Sequence, residues 1–364
     1  MQFDEDQRFF LRGINLRNNV PNELPYLPEL FTNVDRFLEW IVDNMKGKEH
    51  NVPLFNVSKA SDPRRIDLPP VQDGSKRRSF NFSNCGAIPP VNGSFNSFPI
   101  IPWMGFLSSN ATLNMSSKCA VTLVSEWYAV SLAACFSGDN LEYSVLFGVN
   151  SVKMHTDCTD ATTGCGAPTQ RIPVRKVIIH PQFDSSDYRN DIALIQFARA
   201  ADTSQPNVKP ICLPVLDEVR SYDTSSLVAV GQNEEDTRFI LSNAGNRYVE
   251  STECQKRWDS LAVNLPIENR KMCILLEIAP NNECFDLLIG SSLQTIQVVG
   301  SNERHFLRGI LELKAVVCNL HFPLVYADTD RYLDWMLENM VETELSAYSL
   351  RSSYDLREKL IFTN

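Results

Sequence analysis

Ten cysteines are the feature that most constrains the fold of this 364-residue chain. Their number is even and no two are spaced as C-x-x-C, which disfavours zinc ribbons and thioredoxin-type redox sites. An even set spread over much of the chain predicts structural disulfides that form in an oxidising compartment. The ten are Cys85, Cys119, Cys135, Cys158, Cys165, Cys212, Cys254, Cys273, Cys284 and Cys318.

Glycosylation sequons also indicate a secreted protein, and the net charge and the hydropathy of the chain limit its function class. Five N-x-S/T sequons are consistent with a secreted glycoprotein. The net charge of −10, from 34 basic and 44 acidic residues, excludes a general nucleic-acid binder. No apolar run is long enough for a transmembrane helix. No metal-binding or cofactor-binding pattern occurs, so neither a metal nor a cofactor is predicted. The sequons begin at Asn56, Asn81, Asn92, Asn110 and Asn114.

The amino terminus does not resemble a signal peptide, because residues 1–7 contain neither a basic nor an apolar region. Either the protein is cytosolic or the natural polypeptide begins upstream. An internal echo favours the second alternative: F-L-R-G-I at residues 10–14 recurs at 306–310, and residues 33–45 are echoed by 328–340. Two matches in the same order indicate that residues 1–45 are the end of an upstream domain whose body is missing.

The chain after residue 96 predicts many short strands and a single helix. β-Branched and aromatic runs such as 119–124 and 172–179 alternate with turn residues. The helix follows Asp330 or Thr329, either of which is a candidate N-cap. This pattern favours an all-β barrel or sandwich. One apolar helix face is expected from Tyr332, Leu333, Met336, Leu337 and Met340.

Four motifs occur in a fixed order: V-I-I-H-P-Q-F at 177–183, N-D-I-A-L-I at 190–195, P-I-C-L-P at 210–214, and a closing segment at 326–335. Together they resemble the trypsin/chymotrypsin-like serine proteases, in particular the arthropod clip-domain type and its non-catalytic homologues. The resemblance implies two antiparallel six-stranded β-barrels with a C-terminal helix. A clip domain is not expected, because residues 46–84 contain no cysteine.

The resemblance divides the chain into four regions and pairs every cysteine. Residues 1–45 would end an upstream protease-like domain, 46–84 would be a linker, 85–341 the trypsin-like domain and 342–364 a tail. The linker contains the basic cluster 76–78, which is either a cleavage site or an ordinary solvated charge run. The implied disulfides are Cys85 with Cys212, Cys119 with Cys135, Cys158 with Cys165, Cys254 with Cys273, and Cys284 with Cys318.

The catalytic chemistry of the family needs a nucleophilic Ser, a His that takes its proton and a buried Asp that orients the His. In the family the His precedes a Cys in a T-A-A-H-C stretch, and the corresponding run here is S-L-A-A-C, which ends at Cys135. The base position is therefore Ala134, which cannot accept a proton. Asp191 matches the orienting carboxylate, but it would have no imidazole to orient.

The nucleophile of the family lies in G-D-S-G-G-P-L, where this chain has L-L-I-G-S-S-L at residues 287–293. Anchoring on Gly290 and Leu293 places Ile289 at the Ser, Leu288 at the Asp and Leu287 at the oxyanion-hole Gly. A register shift that makes Ser291 or Ser292 the nucleophile still supplies no base. Without both groups, most triad catalysis is lost.

Other parts of the catalytic apparatus also depart from the family. The activation segment corresponds to residues 89–93, with no basic residue before it. The acidic floor of the specificity pocket corresponds to Asn282, and the S-W-G wall to Glu312-Leu313-Lys314. A peptide substrate would therefore meet a misshapen cleft.

These departures predict a secreted pseudo-protease rather than an enzyme. It would bind active serine proteases, their zymogen substrates or other protease homologues, as a cofactor, scaffold or decoy in extracellular cascades of innate immunity, including melanisation. The alternative is an active serine endopeptidase whose catalytic domain lies upstream, with this domain as an exosite. A degenerate product without function is the third possibility.

Overall fold

The computed structural model describes the core strands and helices of the chain. Four short strands between residues 2 and 33 are described by their backbone alone. The other described residues are 65–71, 84–88, 101–109, 119–136, 142–149, 168–232, 239–242, 246–260, 266–267, 270–276, 287–314 and 322–340. The chain divides into two compact units, residues 1–60 and residues 61–364.

Six antiparallel strands close into a barrel in the first half of the larger unit, in the order β10-β11-β8-β7-β6-β9. The strands are rich in β-branched and aromatic residues, and β7, β8 and β11 are buried along their whole length. This barrel confirms the first of the two expected barrels. Its strands are β6 (Met104–Ser109), β7 (Ala120–Leu123), β8 (Tyr128–Ser131), β9 (Tyr143–Phe147), β10 (Gln170–Ile179) and β11 (Ala193–Phe197).

The second half forms a seven-stranded antiparallel sheet in the order β14-β13-β17-β18-β19-β16-β15. Over the described residues this sheet is open rather than a closed barrel of six strands. Its strands are β13 (Leu227–Gln232), β14 (Phe239–Ser242), β15 (Arg247–Val249), β16 (Lys271–Leu275), β17 (Ser292–Val299), β18 (Asn302–Leu313) and β19 (Leu324–Asp328).

The described part of the larger unit contains two helices, one more than the sequence after residue 96 predicted. Helix α1 (Ser251–Asp259) is mostly polar, so it lacks the long apolar stripe that signals a helix. It is held by the Cys254–Cys273 disulfide and by a 2.8 Å Glu253–Arg257 ion pair one turn apart. Helix α2 (Leu333–Asn339) is the expected C-terminal helix.

Helix α2 packs on the core of the first barrel through the predicted apolar face, since Leu333, Met336 and Leu337 are all buried there. The predicted N-cap is wrong. The Asp328 carboxylate instead accepts a hydrogen bond from the Asp330 backbone N–H at 3.1 Å and caps a 3-10 turn before the helix. Asp330 cannot cap α2, because buried arginines bind its carboxylate.

Three of the five expected disulfides are present: Cys85–Cys212, Cys119–Cys135 and Cys254–Cys273. The other four cysteines, the five sequon asparagines and the basic cluster 76–78 lie outside the described residues. In the part of the chain that the structure describes, no helix is both long and apolar enough to cross a membrane.

The smaller unit contains two antiparallel pairs, β1 (Gln2–Phe3) with β2 (Phe9–Phe10) and β3 (Gly13–Asn15) with β4 (Phe31–Asn33). In the second pair Gly13 lies opposite Asn33. The echoed residues of the larger unit have the same register, because Gly309 of β18 lies opposite Asp328 of β19. The two repeated sequences therefore also have the same strand register.

A short strand, β5 (Arg65–Asp67), occurs within the expected linker and pairs with β12 (Ser221–Asp223). No sustained periodicity is visible here, because the segment is brief and two prolines follow it.

Candidate functional site

The predicted base position, Ala134, lies just after the first barrel's strand β8. After Ser131 the chain enters a 3-10 turn at Ala133–Cys135, which exposes Ala134 to solvent. The Cys119–Cys135 disulfide fixes this turn to the start of β7. The Ser131 hydroxyl adds a second link, donating a hydrogen bond to the Ala120 carbonyl at 2.7 Å. The turn is thus firmly positioned, although its exposed side chain is a methyl group.

Asp191 lies directly against this turn, just before β11. Its side chain is buried, and its carboxylate accepts a hydrogen bond from the Ala134 backbone N–H at 2.8 Å. Burial raises the pKa of Asp191 to about 6, against the lowering effects of the Ala134 N–H and the nearby Lys271 ammonium. The structure thus brings two of the three predicted triad positions into direct contact.

The nucleophile position is connected to the same turn through β7. The Ile289 carbonyl accepts a hydrogen bond from the Ala120 backbone N–H at 2.7 Å, and Ala120 adjoins Cys119 of the disulfide. The Ile289 side chain packs against two hydrophobic clusters, one in each half of the domain. An aliphatic side chain offers no lone pair for attack on a carbonyl.

Gly290 allows this close approach of two chain segments. Its φ is +88°, and a Cβ at this position would lie 2.2 Å from the Ala120 carbonyl oxygen. Only glycine adopts this backbone conformation without strain and leaves that space free. The neighbouring Leu287 is buried and Leu288 packs on the first-barrel cluster, so the expected oxyanion loop is held by apolar contacts.

Neither alternative serine is accessible. Ser291 and Ser292 have no solvent-exposed surface, so their hydroxyls are buried. Ser292 donates a hydrogen bond to the Met104 sulfur at 3.4 Å, while the Ser291 hydroxyl has no hydrogen-bond partner within the described ranges. A hydroxyl buried in this way cannot reach a substrate carbonyl in the observed conformation.

Two histidines are described, and both are engaged in the interior. The His180 ring packs against Tyr332 and Trp335, and its Nδ1 accepts a hydrogen bond from a backbone N–H at 3.2 Å. His305 stacks near Trp103 and contacts the Gln294 amide at 3.0 Å. The remaining three, His50, His155 and His321, lie outside the described residues.

A buried ion pair lies beside Asp191. The Lys271 ammonium is 2.9 Å from the Glu312 carboxylate and donates a hydrogen bond to the Tyr188 carbonyl at 2.9 Å. Both side chains are less than 5% exposed, at 4% and 3%. Burial raises the pKa of Glu312 to about 8; Lys271 lowers it and the Asp191 charge raises it further.

Glu312 of this pair stands at the position where the family resemblance places the wall of the substrate cleft. The family resemblance indicated Glu312 but not Lys271. The only signal was a charged residue that opens the apolar strand K-M-C-I-L. Asn282 of the expected pocket floor and residues 89–93 of the expected activation segment lie outside the described residues.

Comparisons with known proteins find insect serine proteases among the relatives of this chain. CLIP domain-containing serine protease HP8 of Bombyx mori is 25% identical over 256 residues, covering 66% of each protein. Melanization protease 1 of Drosophila melanogaster is 25% identical over 268 residues, covering 69% of this chain and 65% of that protein. The chain thus spans just under two thirds of these relatives.

A solved structure shares the fold. The Drosophila Grass clip serine protease of the Toll pathway superposes with a TM-score of 0.55 at 20% identity, covering 71% of this chain and 75% of that one. The trypsin family profile matches residues 91–336, which is well over half of the chain. The chain therefore belongs to the trypsin family of serine proteases.

Proposed function

We propose that this chain is a secreted, catalytically inactive serine protease homologue that acts by binding. The observation that carries the proposal is the contact between Asp191 and Ala134. The carboxylate that would orient a catalytic imidazole lies against a residue whose side chain is a methyl group, and the hydrogen bond that it accepts there comes from the backbone N–H. A chain with alanine at this position has no group to take the proton of a nucleophile.

The surroundings of the nucleophile support the same proposal. Leu287, Leu288 and Ile289 pack into hydrophobic clusters, whereas triad catalysis needs a hydroxyl and an oxyanion hole at these positions. Glu312 and Lys271 add a buried ion pair to the cleft wall. Selection that keeps the disulfide-bonded shell without this chemistry favours a binding role.

The partners that fit this role are proteins. The relatives include Melanization protease 1 and serine protease Grass. By similarity, we infer that the chain acts as a cofactor, scaffold or decoy for active serine proteases, their zymogens or other homologues in extracellular innate-immune cascades. The cysteine pairs and the sequons support an extracellular site of action.

The strand register of the smaller unit supports a second element of the proposal. Gly13 and Asn33 pair as their echoes Gly309 and Asp328 do. Residues 1–45 would then end an upstream protease-like domain, and residues 85–341 would form the second domain. This observation also favours the alternative function, in which an active upstream domain uses this one as an exosite.

The decisive experiment uses the full chain secreted from eukaryotic cells. It is treated with an active-site serine probe and with a panel of peptide substrates beside an active trypsin-like protease. We expect neither labelling nor turnover. Labelling that disappears in Ser291→Ala or Ser292→Ala would contradict the proposal.

The binding role is tested by adding the chain to a trypsin-like protease and its zymogen substrate. A changed activation rate is expected, and an unchanged rate without measurable binding would exclude the cofactor role.

A further inference from the structure

The segment 65–71, within the expected linker, is built like a bound peptide. Its side chains alternate as in a half-buried strand, because Ile66 and Leu68 are partly buried whereas Asp67 between them is exposed. Val71 at its end is buried. The alternation indicates that one face of this segment is adapted to a surface of the domain.

Backbone pairing holds the start of the segment. Strand β5 pairs antiparallel with β12, so that Ile66 lies opposite Tyr222 and Asp67 opposite Ser221. The Ser221 hydroxyl also donates a hydrogen bond to the Asp67 carboxylate. The two strands form a sheet of their own, which is the arrangement by which an extended peptide adds to a strand edge.

Apolar contacts hold the rest of the segment. Ile66 and Leu68 pack against the cluster that contains Tyr222 and Leu227. Val71 belongs to the larger cluster of the first barrel. The segment therefore spans two of the hydrophobic clusters of the domain, with an anchor in each.

A buried arginine fixes the middle of the segment. The Arg220 Nε donates a hydrogen bond to the Pro69 carbonyl at 2.9 Å, and the same guanidinium lies 3.3 Å from the Asp330 carboxylate. Arg220 is only 5% exposed, so the Pro69 carbonyl satisfies one of its buried donors. Removing the segment would leave this donor without that acceptor.

The covalent links of the domain begin later in the chain. Cys85 pairs with Cys212, and it lies fourteen residues after Val71. A chain cut between residues 72 and 84 would therefore leave residues 65–71 without this disulfide. The basic cluster at 76–78 lies in the same interval.

We propose that residues 65–71 form a non-covalent clasp, an extended peptide ligand of the trypsin-like domain that retains all preceding residues after the chain is cut between 72 and 84. The β12 edge, the two apolar anchor sites and Arg220 are the surface that binds it. The ligand is an extended peptide of the pattern apolar-x-apolar-x-x-apolar. This proposal holds whether or not the domain is catalytic.

The test uses the full chain with a site-specific protease sequence in place of residues 74–80. After complete cutting, the sample is run on a size-exclusion column without reductant at micromolar concentration. We expect both fragments in one peak. In the Ile66→Asp/Val71→Asp variant, one partly buried and one buried anchor become charged, and the retained fraction should fall at least about tenfold. The matched control Pro70→Asp adds a charge at an exposed position and should keep the fragments together.

A competition experiment tests the same contact in a way that does not depend on whether the double variant folds. Excess synthetic peptide of residues 61–75, added to the otherwise wild-type cut chain, should release the N-terminal fragment, whereas a scrambled peptide should not. Separation of the fragments without any competitor would overturn the proposal. Retention that neither the peptide nor the double variant reduces would also overturn it, because other contacts would then hold the fragment.

Discussion

The Asp191 carboxylate accepts a hydrogen bond from the Ala134 backbone N–H at 2.8 Å. The carboxylate is buried, and beyond Ala134 it interacts electrostatically with Lys271. It has no imidazole at Ala134 to share its charge. Burial of this carboxyl group therefore destabilises the folded state by an amount that depends on pH.

The first prediction concerns that pH dependence. Because burial raises the pKa of Asp191 from 3.8 to about 6, the folded state binds its proton more tightly than the unfolded state does. Below about pH 3 both states are protonated, and as the pH rises from there to about 6 the unfolded state ionises first. Stability therefore falls over this window, by up to about 3 kcal/mol from this residue.

The Asp191→Asn variant keeps an oxygen acceptor for Ala134 but does not ionise. We expect its free energy of unfolding, measured with urea from pH 4 to pH 7, to lose less with rising pH than that of the wild type. Asp187→Asn is the control, because Asp187 lies in an ion pair with the half-exposed Arg189. If wild type and Asp191→Asn keep a constant difference across the window, the raised pKa is wrong.

The second prediction concerns the ion pair of Lys271 and Glu312. Replacing Lys271 with Met should leave the Glu312 carboxylate buried without its partner and lower stability by about 3 kcal/mol. The double variant Lys271→Met/Glu312→Leu removes both charges and should recover most of the loss. Urea midpoints at about pH 9 measure both effects, because Glu312, with its pKa raised to about 8, is ionised there.

Glu253→Ala is the control for the Lys271 and Glu312 variants. It breaks the more exposed Glu253–Arg257 pair of helix α1 and should cost no more than about 0.5 kcal/mol. A double variant as unstable as Lys271→Met alone would show that packing rather than charge dominates at this position.

The sequence predicted those parts of the site that lie in or beside a motif of the family. Ala134 is found because Cys135 follows it, and the expected Cys119–Cys135 pair is present. Lys271 and Glu312 could not be paired in this way, because they lie on strands β16 and β18, separated along the chain, and only strand order brings them together. The clasp was missed for a different reason: a three-residue strand is too short to show periodicity.

The third prediction tests the tight approach at the nucleophile position. In Gly290→Ala the new Cβ would lie 2.2 Å from the Ala120 carbonyl oxygen, at a φ of +88°. We expect a loss of more than about 3 kcal/mol, or failure to fold, because backbone atoms on both sides would have to move. The matched control is Gly300→Ala, which has a φ of +65° but no atom within 4 Å of the added Cβ. It should cost about 1 kcal/mol. Equal losses in the two variants would mean that φ alone, and not the contact with Ala120, requires glycine at residue 290.

The fourth prediction concerns Asp330, which lies between two buried arginines. Its carboxylate is 3.0 Å from Arg308 and 3.3 Å from Arg220, and all three side chains are buried. Asp330→Ala would leave two guanidinium groups without their shared counter-charge, so we expect a loss of about 3–5 kcal/mol in urea unfolding. Asp330→Asn keeps an oxygen acceptor and should lose less stability than the alanine variant.

The control Asp187→Ala breaks a pair whose arginine is 49% exposed and should change stability by less than about 1 kcal/mol. Because Arg220 also binds the Pro69 carbonyl, Asp330→Ala should in addition weaken retention of the cut N-terminal fragment, which Asp187→Ala should leave unchanged.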